Sequence, residues 1–408
     1  MPAEPHHLLN GVQPAAAKRE TAPEVVIGPG FAAGRWRQLS DLQETLAVSA
    51  EETPLRAHWN ALADFAGRIP PGGAIAGFVG YEMVHGLEPQ LPLLRAPDGL
   101  PRLWAGRFGC DEAFEVGPSV PASGLSATPL SVSGADAPAF QNVVNVTIDR
   151  ILAGDIFQAN ISRRLSAEFS APLKETAAGL FAKLLAQKSL PAYTAYFDLR
   201  EAALISASPE LFLQVDGPHV LAEPIKGTRP RGMTQEADRA LVDDLVHSAK
   251  DRAENIMIVD LLRNDLAKVC RDHSIEEPAI CALRTLPNVH HLYSQIRGVL
   301  REDLGPIDAL AAAFPCGSIT GAPKMRAMEV ISELEGEGRG PYCGSVFYIP
   351  DGGPAVFSVA IRTATLTPIA KGTRLDYRTG GGITVLSDPS AEFQETEDKA
   401  YLFRHLTA

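Results

Sequence analysis

Strand-like and helix-like stretches follow one another without a regular beat through the longer, carboxy-terminal part of this chain, and that irregularity excludes most repetitive architectures. Ala202-Ala203-Leu204-Ile205-Ser206-Ala207 and His219-Val220-Leu221-Ala222 read as short strands with no helical pattern between them. From Asp251 to Val269 the period changes, with Ile258, Leu261, Leu262, Leu266 and Val269 at helical spacing. A second helix is expected from Ala322 past Leu334. At the carboxy terminus Asp388 can cap a third helix, Pro389 suits its first position, and Glu392 and Glu395 fall in its early turns. Clusters of strands broken by single long helices predict an α+β fold rather than a regularly wound α/β sheet. No internal repeat at solenoid periods interrupts this reading.

At 408 residues the chain can bury a large core without metal or disulfide staples. Residues 1–22, rich in Pro, Ala and charge without periodicity, read as a disordered lead-in. A Pro- and Ser-rich linker is expected at 117–134, separating an amino-terminal part of the fold, 23–116, from a catalytic domain, 135–408. The 37 Lys and Arg against 49 Asp and Glu leave a net charge of −12, which disfavours a nucleic-acid surface and gives no support to a membrane surface. Five cysteines, odd in number and without a Cys-x-x-Cys pair, fit a reducing cytoplasm better than a disulfide framework or a zinc site. No secretory signal pattern opens the chain, and no apolar run approaches the roughly 18 residues that span a bilayer.

Several groups of residues could carry chemistry. Gly317-Ser318-Ile319-Thr320-Gly321-Ala322-Pro323-Lys324 places small and hydroxyl-bearing residues before a helix, where outward N–H groups bind anions. A P-loop needs Lys directly after its second Gly, and here Ala322 and Pro323 intervene, so carboxylate binding is the better expectation and an ordinary helix start the plainer one. Asp251 and Glu254 share a helix face, as do Glu392 and Glu395. Two such faces meeting across a cavity would suit Mg²⁺, a hard cation that completes its shell with water and substrate oxygens; apart, they are solvated faces.

Lys226 lies in Pro224-Ile225-Lys226-Gly227-Thr228-Arg229-Pro230-Arg231, a stretch too rich in Gly and Pro for a helix and read as a loop after a strand. Solvated it would be inert, whereas on a rigid turn in an apolar site it could lose its proton and act as a nucleophile. Glu210 ends a strand and could be a general acid raised by burial. Neighbours His290 and His291 diverge along the chain, one toward a site and one toward solvent. Tyr342, Arg362 and the run Gly380-Gly381-Gly382 could contact substrate as hydroxyl donor, carboxylate fork and close-approach backbone; Arg362 could equally serve a structural ion pair.

Taken in order, Gly154-Asp155-Ile156-Phe157-Gln158, Ala207-Ser208-Pro209-Glu210, Pro224 to Thr228, Asp251 to Asn255, Val259 to Asp265, His291-Leu292, Gly317 to Lys324, Ile361-Arg362-Thr363 and Glu392 to Lys399 resemble the chorismate-utilising enzymes. That family includes the first components of anthranilate and aminodeoxychorismate synthases and the isochorismate and salicylate synthases. The resemblance covers residues 145–405 strongly and 70–112 weakly. It implies one α+β fold with two packed β-sheets at the centre and helices outside, binding chorismate with Mg²⁺. Glu254 and Glu395 match the metal ligands, with Asp251 and Glu392 beside them. Arg362 and Tyr342 match residues that hold the enolpyruvyl carboxylate, the glycines at 380–382 match backbone donors, and Thr320 and Lys399 fall in substrate-contacting motifs. Thr228 and His291 match residues near the ring, and Glu210 matches the acid that protonates the departing 4-hydroxyl.

Two positions choose among the family's reactions. Water-using relatives carry Lys where this chain has Gln158, so ammonia is the implied nucleophile. Anthranilate synthases resemble one another in having Ala in Pro-Ile-x-Gly-Thr, whereas aminodeoxychorismate synthases typically have Lys, as here with Lys226. The resemblance therefore implies 4-amino-4-deoxychorismate synthesis for p-aminobenzoate and folate, with anthranilate synthesis as the alternative. No glutamine-hydrolysing module or fused lyase is recognised in the sequence, so ammonia is expected from a separate glutamine amidotransferase subunit. Nor is there a Leu-Leu-Glu-Ser segment of the kind associated with tryptophan binding in relatives.

Overall fold

The computed structural model describes residues 12–14, 24–95, 99–116, 131–134, 137–187, 189–287 and 289–407. Its framework is antiparallel, and the strand Ala74–Val79 shows how it is built. That strand pairs with Leu103–Val116 on one side and with Ser345–Pro350 on the other, so the amino-terminal part lies inside the same sheet as the carboxy-terminal part. Side chains alternate across a strand. Ala74, Ala76 and Phe78 enter one core, while Ile75 and Val79 enter another on the opposite face. Gly77 is required here, since a Cβ would meet the Trp104 carbonyl oxygen at 2.2 Å and the Phe347 ring at 2.7 Å.

The first of those cores is shared by two sheet layers. Phe78 and Trp104 reach Phe197, each with ring centroids 6.0 Å away, which packs the layer around Ala74–Val79 on that of Tyr193–Asp198 and Ala203–Ser208. Each such buried ring contributes on the order of 2 kcal/mol. The layers remain hydrogen-bonded to one another, because the long strand Trp36–Val48 pairs with both Leu103–Val116 and Glu24–Ile27, and the latter joins Tyr193–Asp198.

Helices cover the outer faces. Trp59 and Leu62 of Arg56–Ala66, Ile258 and Leu262 of Ala249–Ala267, and Leu310 of Pro306–Ala313 pack on one layer. Leu180, Phe181 and Leu184 of Leu173–Leu185, with Phe403 and Leu406 of Tyr401–Thr407, pack on the other. The α+β expectation, with two packed layers inside and helices outside, is what the chain forms. Among the described residues, no helix is long and apolar enough to cross a membrane.

Most of the lead-in and linker expected from composition lies outside the described residues. Within them, Val12–Pro14 pairs with the end of Leu103–Val116, and Ser131–Gly134 pairs with Gln158–Phe169. The three expected helices run Ala249–Ala267, Lys324–Glu335 and Pro389–Lys399. Asp388 caps the last, accepting from the Ser390 and Ala391 N–H groups, with Pro389 at its start.

Candidate active site

Lys226 is where the expectation and the structure part. Its segment forms a strand, Ile225–Pro230, pairing with Val289–Val299, rather than a loop. The register slips between Ile225 and Thr228, and Gly227 takes φ +84° at the irregularity. Residues that look like turn-formers in sequence here build a bulge, and a bulge re-aims side chains.

The Lys226 Nζ lies 3.9 Å from Glu254 Oε2. A Cβ at Gly382 would come within 3.7 Å of the same nitrogen, so the glycine run passes directly beside it. Glu210, between the strands Ala203–Ser208 and Leu211–Asp216, is buried and accepts a hydrogen bond from Ser318 Oγ at 2.9 Å. Burial pushes its carboxyl above the ordinary range, opposed by the Ser318 bond and by the charges of Lys226 and Lys399. A carboxyl raised by burial within the field of an amine is the arrangement a general acid and a nucleophile require.

The two acidic helix faces do approach each other. Ser248 caps Ala249–Ala267 through the Asp251 N–H, and Asn255, Ile258, Val259 and Leu262 face inward, leaving Glu254 toward the site. From the other side, a Cβ on Gly381 would lie 3.0 Å from Glu392 Oε2 and 3.4 Å from Glu395 Oε1. Burial raises the Glu254 carboxyl, and the negative charges of Asp251 and Glu395 add to it. Burial likewise raises Glu392, whose Oε1 accepts from Ser387 at 2.6 Å. Burial also pushes Glu395 upward, but the Lys399 hydrogen bond and the charges of Lys399, Lys226 and Lys250 together hold that carboxyl below its usual range. Lys399 donates to Glu395 at 2.5 Å and to the Gly380 carbonyl at 2.9 Å, tying the last helix to the glycine strand. Asp251 stands apart, bound by Arg229 at 3.1 Å.

Thr228 Oγ1 and His291 Nδ1 are 2.8 Å apart, and burial lowers the His291 pKa. His290 does not face solvent: it is buried between Thr285 and Asp238, both at 2.9 Å, because that strand is covered on its outer side too. Tyr342 is buried and its phenol raised by burial. Arg362 takes φ +54° and forms no salt bridge among the described residues, which leaves its fork available to a carboxylate; its charge acts on the Tyr377 phenol, which burial raises. Thr320 is turned inward, its hydroxyl donating to the Cys316 and Gly317 carbonyls at 3.3 Å. Lys324 is equally structural, held by Asp265 and by the Ala313 and Pro315 carbonyls at 3.0 Å.

Sequence reasoning missed three contributors. Ser318 was visible only as part of a helix-start pattern, Arg229 only as a neighbour of Thr228, and Lys250, 4.0 Å from Glu392 Oε1, carried no signal.

The sequence matches the family described as chorismate binding enzyme over residues 31–405. This chain belongs to that family. It is 42% identical to aminodeoxychorismate synthase component 1 of Salmonella typhimurium over 253 residues, 62% of this chain and 54% of the relative. It is 34% identical to anthranilate synthase component 1 of Pseudomonas putida over 381 residues, 83% of this chain and 75% of the relative. Anthranilate synthase component I from Streptococcus pneumoniae superposes with a TM-score of 0.72 at 25% identity, covering 98% of this chain and 94% of that one. The match spans about half the length of several curated relatives: 54% of the Salmonella protein and 51% of anthranilate synthase component 1 from Bacillus caldotenax.

Among the described residues, no three His, Cys, Asp or Glu converge closely enough to cage a metal ion by themselves. Mg²⁺ does not ask for that, since it keeps several waters and takes one or two carboxylates plus substrate oxygens. The donors fit: Glu254 and Glu392 are carboxyls burdened by burial and by the negative charge of Glu395, and Glu392 Oε2 is buried without a hydrogen-bond partner among the described residues.

Proposed function

We propose that this chain is the chorismate-aminating component of an aminodeoxychorismate synthase, converting chorismate and ammonia to 4-amino-4-deoxychorismate for p-aminobenzoate and folate. The observation that carries the reading is the Lys226 amine at the centre of the site, beside Glu254 and Gly382 and acting electrostatically on Glu210. An amine nucleophile there performs a double displacement that leaves the new nitrogen para to the ring carboxylate.

In the first half, Lys226 Nζ attacks carbon 2, both ring double bonds shift along the ring toward carbon 4, and the carbon 4 hydroxyl leaves as water on the proton of Glu210. In the second, ammonia attacks carbon 4, both double bonds return to their first positions, and the bond from carbon 2 to Nζ breaks. A proton returns to Glu210, so chorismate and ammonia give 4-amino-4-deoxychorismate and water. Arg362 and Tyr342 hold the enolpyruvyl carboxylate, and pyruvate is retained. Glycines 380–382 let the backbone approach the substrate, and Thr228 and His291 bound the ring. Glu254 and Glu395, with Glu392 and Asp251 nearby, would hold Mg²⁺, which when bound neutralises the ring carboxylate.

Ammonia comes from a separate glutamine amidotransferase subunit in this reading, supported by the component 1 names of the Salmonella and Pseudomonas relatives. The buried thiols of Cys270, Cys281, Cys316 and Cys343 are in keeping with a cytoplasmic setting.

The second reading is anthranilate synthase component I, favoured by the longer span matched in the Pseudomonas relative. There ammonia would add at carbon 2, pyruvate would leave and Lys226 would form no bond. Product analysis with chorismate, Mg²⁺ and ammonium separates the two. Anthranilate fluoresces directly, whereas aminodeoxychorismate gives p-aminobenzoate only after a lyase is added, and the second outcome is expected.

A further inference from the structure

The turn over residues 336–344 carries Tyr342, and its backbone is unusual, with positive φ at Gly336, Gly340 and Cys343. Such a turn needs outside support, and the support comes from the amino-terminal part of the chain. Glu82 accepts the Arg339 N–H at 2.6 Å and the Gly340 N–H at 3.1 Å, while the Tyr81 N–H donates to the Gly340 carbonyl at 2.8 Å. A carboxylate 5% exposed is a costly way to satisfy two backbone donors, and what it supplies in return is a fixed position.

Arg339 extends that hold toward the substrate side. Its guanidinium binds Glu335 at 2.7 and 3.0 Å, the Ile319 carbonyl at 3.2 Å and the Asn160 carbonyl at 2.6 Å. It lies 4.9 Å from the Tyr81 ring centroid and 5.8 Å from that of Tyr342. One buried cation thus links the helix Lys324–Glu335, the strand Gln158–Phe169 and the Tyr342 ring.

We propose that Glu82 and Arg339 are positioning residues for Tyr342, through which the segment Gly80–Glu82 sets the aim of the Tyr342 hydroxyl and hence the affinity for the substrate carboxylate. This rests on the reading of Tyr342 as a chorismate contact. Neither residue touches substrate, so their replacement acts on binding through Tyr342 and not on the chemical step.

The test is a double-mutant cycle on chorismate KM and kcat with Mg²⁺ and ammonium, using Glu82→Gln, Tyr342→Phe and the pair, repeated with Arg339→Lys in place of Glu82→Gln. Each single change should raise KM about tenfold and leave kcat within about threefold, and each pair should be no worse than Tyr342→Phe alone. Additive KM losses, or a loss confined to kcat, would overturn the proposal. Failure of both Glu82→Gln and Arg339→Lys to fold would assign the network to stability and overturn it as well. An unchanged KM in Tyr342→Phe would instead remove the substrate-contact reading itself, whatever the other variants do.

Discussion

Lys226 Nζ stands 3.9 Å from Glu254 Oε2, which places the candidate nucleophile and a candidate metal ligand on the same side of the site. Removing the amine removes the covalent route. Lys226→Ala should lower aminodeoxychorismate formation at least about a hundredfold, because the proposed double displacement has no first nucleophile without the amine. Turnover with ammonium is the measurement, and wild-type-like rates would end the role assigned to this lysine.

Glu210 yields a paired prediction. Burial raises its carboxyl, so the folded state binds that proton more tightly than the unfolded chain. The stability this confers is complete below the ordinary Glu pKa and is lost as pH rises through the raised one. Glu210→Gln should therefore gain melting temperature relative to the wild type as pH rises, while turnover falls about a hundredfold or more. An equal Tm difference at all pH values would contradict the burial argument.

Helix boundaries were legible where the signals are local. Asp388 and Pro389 act within one turn of the last helix, which begins where they indicate, whereas the helix expected from Asp251 starts at Ala249, capped by Ser248. The Lys226 strand was not legible, because its partner lies more than sixty residues on and Gly227 with Pro230 imitates a turn. Ordered motifs pointed to Glu210, Glu254 and Glu395, whose side chains share a field in the structure. What they could not tell is which charges are already engaged across distant segments: Asp251 with Arg229 and Lys324 with Asp265 are encoded by no local pattern, whereas Glu395 with Lys399 is a pair four apart on one helix.

Mg²⁺ dependence follows from the acidic faces. Glu254→Gln and Glu395→Gln should each weaken Mg²⁺ binding by calorimetry and raise the concentration that half-saturates turnover, since each change removes an anionic oxygen. Unchanged titrations in both variants would leave these faces merely solvated.

The glycine run separates stability from function. A Cβ on Gly380 would lie 2.4 Å from the Ile161 carbonyl and 2.9 Å from the Ser162 Cα, backbone that cannot move without breaking the ladder. Gly380→Ala should cost about 1–3 kcal/mol in denaturant unfolding. At Gly382 the nearest atom is Gln158 Nε2 at 2.3 Å, the end of a side chain that can swing away. Gly382→Ala should keep near-wild-type stability yet bind chorismate more weakly; equal unfolding costs for the two variants would contradict this difference.

The covalent step at Lys226 is the centre of the account, and intact-protein mass spectrometry reads it directly. Incubated with chorismate and Mg²⁺ but no ammonia, the chain should gain the mass of one chorismate less one water, mapped to Lys226 by peptide analysis and lost on adding ammonium. Lys226→Ala should gain nothing. Formation of aminated product by the wild type with no such adduct under any of these conditions, or an adduct that persists in Lys226→Ala, would contradict the account.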